Sequence, residues 1–180
     1  MLKLIMGFLE GKKILIVGVA NKYSIAAGIA ESMHKQGAEI ILSYQSERLK
    51  DKVMKLGNDW GCNTYIECDV ASDESISKMM DIIKKEWGFL DGIVHAVGFA
   101  PANELDGNFI DASTREGFIT AHDISVYSFT ALAKAGKSLM NGRNASLLTL
   151  SYLGAERTLP NYNVMGLSLI HISEPTRPSS

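Results

Sequence analysis

The residues that could do chemistry in this chain gather where short apolar runs give way to glycine, small side chains and single polar groups. Lys13-Ile14-Leu15-Ile16-Val17 runs into Gly18-Val19-Ala20-Asn21-Lys22-Tyr23-Ser24-Ile25-Ala26-Ala27-Gly28. A glycine directly after a strand, followed by a helix that opens on Ser24 with free backbone N–H groups, makes an anion site suited to a pyrophosphate. The segment is not GxGxxG, and the same residues also serve a plain βα turn. Gln45 stands after the second apolar run, at the place where a dinucleotide fingerprint puts an acid on the ribose hydroxyls. Its amide can bond a ribose or simply be solvated. Asp69-Val70 and Ala96-Val97-Gly98 follow the third and fourth runs; such short, mostly small segments let a flat ligand approach the backbone. His34, His95 and His122 form no HExxH or other metal spacing, so they are read as structural and no metal is expected. The absence of GxSxG argues against an α/β-hydrolase.

Regular elements must hold these groups in place. The β-branched run 13–17 reads as a strand covered on both faces. A helix follows from Ser24, with Ile25, Ile29 and Met33 on one face and Gly37 as its stop. The unit repeats as a strand over Glu39–Tyr44, a helix over Glu47–Leu56 and a strand over Thr64–Cys68. Ser72 caps a further helix, with Asp73 and Glu74 in its first turn and Ile76, Met80, Ile83 and Trp87 as its apolar stripe. Leu90–His95 is a fourth strand, Gly98–Ser113 is irregular, and Ala145–Leu150 is a fifth strand. Between the last two lies one long helical region from Arg115 to Met140, apolar on more than one face, which suggests a subunit contact. Alternating strands and helices imply right-handed crossovers and a doubly wound parallel sheet, an α/β fold of Rossmann type, with ligands at the carboxyl ends of its strands.

Composition narrows the class. With 180 residues, 46% hydrophobic and 21% charged, the chain is an ordinary globular one. A net charge of −2 lacks the basic balance that nucleic acid or an anionic membrane surface requires. Cys62 and Cys68 make no disulfide framework, and reduced thiols in a cytoplasmic protein are the simplest reading. No apolar run approaches the ~20 residues that span a bilayer.

Ser151-Tyr152-Leu153-Gly154-Ala155-Glu156-Arg157 and Pro160-Asn161-Tyr162-Asn163-Val164-Met165-Gly166, with Gly18–Ile25, His95–Pro101 and Thr114–Phe118, resemble the bacterial enoyl-acyl-carrier-protein reductases. These are divergent short-chain dehydrogenases of fatty-acid synthesis, and the likeness covers about Met6 to Leu167. The resemblance implies NADH-dependent reduction of the trans-2 double bond of an enoyl thioester on acyl carrier protein, and a homotetramer in the full-length protein. It places Gly18, Ser24, Ile25, Gln45, Asp69, Val70 and Val97 at cofactor-binding positions, Ala100 at a substrate contact, and Tyr152 and Tyr162 as the active-site tyrosine pair. A phenol beside the thioester oxygen can donate to the charge that develops there, the role expected of Tyr162. Gln45 is followed by Ser46 and Glu47 before Arg48, so a 2′-phosphate would meet a carboxylate first, which favours NADH over NADPH.

The chain also departs from that pattern. Family members carry a lysine beyond the catalytic tyrosine on the same helix, where it holds the nicotinamide ribose; Leu169 occupies that place, and no lysine follows Tyr162. Residues 167–180 resemble the translation of a library-preparation adapter, so a truncated domain over 6–166 with a non-native tail is expected, and 1–5 reads as an upstream extension. On this reading the chain as written is inactive. Two rival readings remain: a nucleotide-binding protein without catalysis, favoured by Leu169, and a related dehydrogenase acting on a ketone or alcohol.

Overall fold

The computed structural model describes residues 7–173. The expected extension over 1–5, and the part of the expected 167–180 tail from 174 onward, lie outside the described residues. In chain order the elements are β1 (Lys13–Val17), α1 (Ile25–Lys35), β2 (Glu39–Tyr44), α2 (Glu47–Asp59), β3 (Tyr65–Glu67) and α3 (Asp73–Glu86). They continue as β4 (Gly92–His95), α4 (Phe109–Ala112), α5 (Arg115–His122), α6 (Ser128–Met140), β5 (Ser146–Thr149) and α7 (Asn163–Ser173). α7 therefore runs on past residue 167, into the stretch expected to be a non-native tail.

The sheet has the order β3-β2-β1-β4-β5. β1 pairs in parallel with both β2 and β4, and β2 with β3. Chain order thus reverses between β1 and β4, where Val17 stands opposite His95, the kind of point at which such sheets bind ligands. Leu15, Ile16, Ile41 and Leu42 are all 0% exposed. Continuous apolar runs became central strands because both faces are covered.

The described residues divide into two compact units. One runs through Ala96 and resumes over Leu132–Leu148; the other comprises Val97–Ala131 and the residues from Thr149 onward. No helix among the described residues is long and apolar enough to cross a membrane.

Two expectations are corrected. The buried face of α1 is Ala26, Ala27 and Ala30, whereas Ile25 is 66% exposed and Ile29 and Met33 only flank the core. Alanines let the helix backbone lie close to the strands, and bulkier Ile and Met are pushed to its border. The region 115–140 is not one α-helix, since Asp123–Tyr127 forms a π turn between α5 and α6. There the buried Ser125 hydroxyl accepts from the Phe99 N–H at 3.0 Å and donates to the Phe99 carbonyl at 3.2 Å. Ser128 Oγ donates to Ile124 O at 2.6 Å. The Ser128 bond reaches a carbonyl of the helix itself, the kind of side-chain bond that competes with the regular ladder, whereas the Ser125 bonds tie the π turn to Phe99.

At the amino ends of the strands, Asp91 ties β1 and β4 to the segment after α6. Its side chain is 3% exposed. Oδ2 accepts from the Lys13 N–H at 3.0 Å, and Oδ1 from Arg143 Nη2 at 2.9 Å and Nε at 3.2 Å, with Lys12 Nζ 3.6 Å away. Arg143 and Lys13 also lie over the Phe89 ring, at 3.7 and 4.7 Å from its centroid. Burial pushes the Asp91 pKa up, but the Lys13 N–H, Arg143 and Lys12 together outweigh it, and the carboxyl sits below the usual carboxylate range. A depressed folded pKa means that this stabilisation is present above the unfolded value and is lost as pH falls through the folded one. Asp91→Asn should therefore lower stability at neutral pH by roughly 1–3 kcal/mol and flatten the fall in acid, as read from urea midpoints across that range. An unchanged midpoint at neutral pH would remove Asp91 from the stability of the sheet.

Candidate active site

In the first unit, β1 ends at Gly18, whose φ of +109° suits a residue without Cβ. A tight turn follows. Asn21 Oδ1 accepts from the Tyr23 N–H at 2.8 Å, and Ser24 Oγ donates to Asn21 O at 2.7 Å. Ser24 then caps α1 by accepting from the Ala27 N–H at 3.3 Å, leaving the first-turn amides directed outward at the positive end of the helix dipole. Ile25, at that end, is largely exposed and offers apolar surface beside the amides.

The other expected nucleotide positions in this unit stand at the neighbouring strand ends. Gln45 is exposed directly after β2. Asp69 is exposed beyond β3, its Oδ1 taking the Ala71 N–H at 3.1 Å, while Val70 is buried. Glu47, the first residue of α2, pairs with Lys50 at 2.8 Å, so a phosphate near it would meet a cation as well as a carboxylate. Cys68 is buried and its thiol is pushed up to about 11, which makes it inert at neutral pH. His95, 1% exposed at the end of β4, is driven by burial to a pKa of about 4 and stays neutral, as a structural histidine would. Among the described residues no group of three or more His, Cys, Asp or Glu could hold a metal.

Val97 and Ala100, both half-buried, fall in the second unit. That unit also contains the two tyrosines, whose rings meet edge to face at 5.6 Å and 63°. Tyr152, just before a 3-10 turn at Leu153–Ala155, is 59% exposed. Tyr162 is more enclosed. A Cβ added at Gly154 would lie 2.6 Å from its ring, so the ring rests on bare backbone. Desolvation, and then the neighbouring Tyr152, raises the Tyr162 pKa; the phenol therefore keeps its proton at neutral pH and can donate it. A cavity of about 370 Å³ opens beside it, with Phe109, Gly154, Leu159, Leu167 and Ile170 among its walls. Tyr152 and Ala100 do not line this cavity. Sequence reasoning missed Gly154 as the seat of the Tyr162 ring. Nothing in its own spacing marked it.

The family model described as enoyl-(acyl carrier protein) reductase matches residues 18–177. The chain belongs to that family. It is 55% identical over 163 residues to the NADH enoyl-[acyl-carrier-protein] reductase FabI of Escherichia coli, covering 91% of this chain and 62% of that protein. The chain thus spans less than two thirds of that relative's length. Two solved structures are similar. The NADH enoyl-[acyl-carrier-protein] reductase of Aquifex aeolicus superposes with a TM-score of 0.93 at 44% identity, over 95% of this chain and 68% of that one. The enoyl-(acyl-carrier-protein) reductase of Anaplasma phagocytophilum, solved in complex with NAD, superposes with a TM-score of 0.90 at 43% identity, over 94% of this chain and 64% of that one.

A methyl group at position 154 cannot be placed without moving the Tyr162 ring. Gly154→Ala should cost roughly 1–3 kcal/mol by overpacking and alter the near-UV tyrosine dichroism. Wild-type spectrum and stability in that variant would show that the ring does not depend on Gly154.

Proposed function

We propose that the whole protein to which this chain corresponds reduces the trans-2 double bond of an enoyl thioester on acyl carrier protein in fatty-acid synthesis, with NADH as donor. The observation that carries this reading is the Tyr152–Tyr162 edge-to-face pair, with Tyr162 half-buried, protonated and beside a cavity of mixed, mainly apolar lining, in a chain of this family. Acyl carrier protein is then the partner that presents the substrate. A cytoplasmic homotetramer is the assembly that the resemblance implies.

The donor set of the first unit fits a dinucleotide: a left-handed Gly18, the capped amino end of α1 and polar groups beyond β2 and β3. Gly18, Ser24, Ile25, Gln45, Asp69 and Val70 would hold it there, and Val97 is the cofactor position expected in the second unit. When bound, NADH supplies the hydride that adds to the β-carbon of the substrate. Tyr162 donates a hydrogen bond to the thioester oxygen as negative charge gathers there, which lowers the barrier because the donor is already in place. Tyr152 packs beside the acyl chain and assists its placement or protonation, and Ala100 leaves room for that chain. The product is complete once a proton has reached the α-carbon.

A second reading, nucleotide binding without turnover, is favoured by Leu169. A leucine offers no cation to the nicotinamide ribose, and a loosely placed ring loses the orientation on which hydride transfer depends. Loss of NADH absorbance with a trans-2-enoyl thioester, beside a titration of NADH binding, separates the two. Turnover faster with NADH than with NADPH supports the reductase, and tight NADH binding with no turnover even in Leu169→Lys supports the rival. On the reductase reading, Leu169→Lys should raise kcat by about tenfold or more through better orientation. In that variant, adding Tyr162→Phe should lower kcat by roughly 10², the usual scale for one lost oxyanion donor. An unchanged kcat would take Tyr162 out of the mechanism.

A further inference from the structure

Tyr162 sits in an unusual stretch of backbone. Asn161 has φ +56° and Asn163 has φ +30°, so the tyrosine is bracketed by two residues in the left-handed region. Asparagine tolerates that region better than most residues, yet such a conformation is still strained and persists only where its surroundings hold it. Tyr162 is also the turn into α7, its carbonyl accepting from the Met165 N–H at 2.9 Å and the Gly166 N–H at 3.2 Å. The bend therefore sets the direction in which the Tyr162 side chain leaves the backbone, and Gly154 leaves the space in which its ring lies.

What holds the bend is the Asn163 side chain. Its Nδ2 donates to Glu104 O at 3.0 Å and to Gly107 O at 3.4 Å, reaching the loop between β4 and α4. The receiving residue is itself immobilised. Glu104 is 1% exposed; its carboxylate accepts from the Thr114 N–H at 3.0 Å and from Thr114 Oγ1 at 2.6 Å. Thr114 Oγ1 in turn caps α5 by accepting from the Gly117 N–H at 3.0 Å, and a methyl group at Gly117 would overlap the Glu104 carboxyl. A buried carboxylate at the amino end of a helix is well satisfied, so it gives the tether a fixed anchor.

We propose that Asn163 is a positioning residue for Tyr162, its amide tethering the left-handed bend to the anchored backbone of Glu104 and so aiming the phenol. For catalysis the proposal rests on the reading of Tyr162 as the donor to the thioester oxygen. The tether itself is a property of the chain alone. Tyr162 faces Tyr152, and Glu156 and Arg157 are the charged groups lining the cavity beside it.

Two substitutions separate tether from backbone. Asn163→Gly keeps the left-handed conformation and removes the amide. Asn163→Asp keeps the shape but sets an acceptor against two carbonyls. Each is made with and without Tyr162→Phe, so that the difference in alkaline absorbance reports Tyr162 alone among the tyrosines. The expected result is a folded Asn163→Gly chain in which the raised Tyr162 titration moves back toward the ordinary tyrosine value, with Asn163→Asp moving at least as far. In a chain carrying Leu169→Lys, kcat should fall about tenfold or more with KM for both substrates nearly unchanged. An unmoved Tyr162 titration in both variants overturns the proposal. An unfolded Asn163→Gly chain overturns it too, because the tether would then carry the fold rather than the aim of one ring. If the titration moves while no chain turns over, the tether stands and the reductase reading fails.

Discussion

Burial of a parallel sheet on both faces is the constraint from which the rest follows. β1, β2 and β4 present apolar side chains to either side, so a polar group within them has no place to go unless it is fully satisfied or uncharged. Chemistry is displaced to the strand ends. At the carboxyl ends the chain supplies turns, amides and exposed polar groups. At the amino ends it supplies the Asp91 cluster, which joins sequence-distant segments through a carboxylate enclosed by cations. His95, buried at the end of β4, obeys the same constraint by remaining neutral.

The two buried carboxylates solve one problem in different ways. Asp91 is compensated by side-chain cations and one amide, and so depends on long, partly exposed Lys and Arg side chains keeping their places. Glu104 is compensated by a hydroxyl and an amide at the amino end of α5, groups with little freedom to move. The first arrangement suits a seam in the sheet that is defined by many other contacts. The second suits an irregular loop, where one well-fixed residue can set the course of the chain around it.

Much of this organisation is legible in the sequence. β-branched runs identified the strands, and β2 and the Ser24 and Ser72 caps fall where local chemistry put them, because those signals depend on a few adjacent residues. Ile25, Ile29 and Met33 are the large residues that the spacing of α1 puts on one face, whereas closeness to the sheet selects the alanines Ala26, Ala27 and Ala30 for the core. The π turn leaves no trace in the periodicity, and its Ser125 bonds to Phe99, a partner far away in sequence. The Gly18 turn could be recognised from its own residues. The tyrosine pair could be recognised only through the family resemblance, because its geometry rests on Gly154 and on the asparagines that bend the chain.

The two cysteines give the first unit a property unconnected with its chemistry. Cys62 and Cys68 flank β3, the edge strand beside β2, and burial raises the pKa of both thiols. The folded chain therefore presents almost no thiolate to an electrophile. Alkylation has to wait for that edge to come away from β2, so the pace of modification becomes a clock for local unfolding on one side of the first unit.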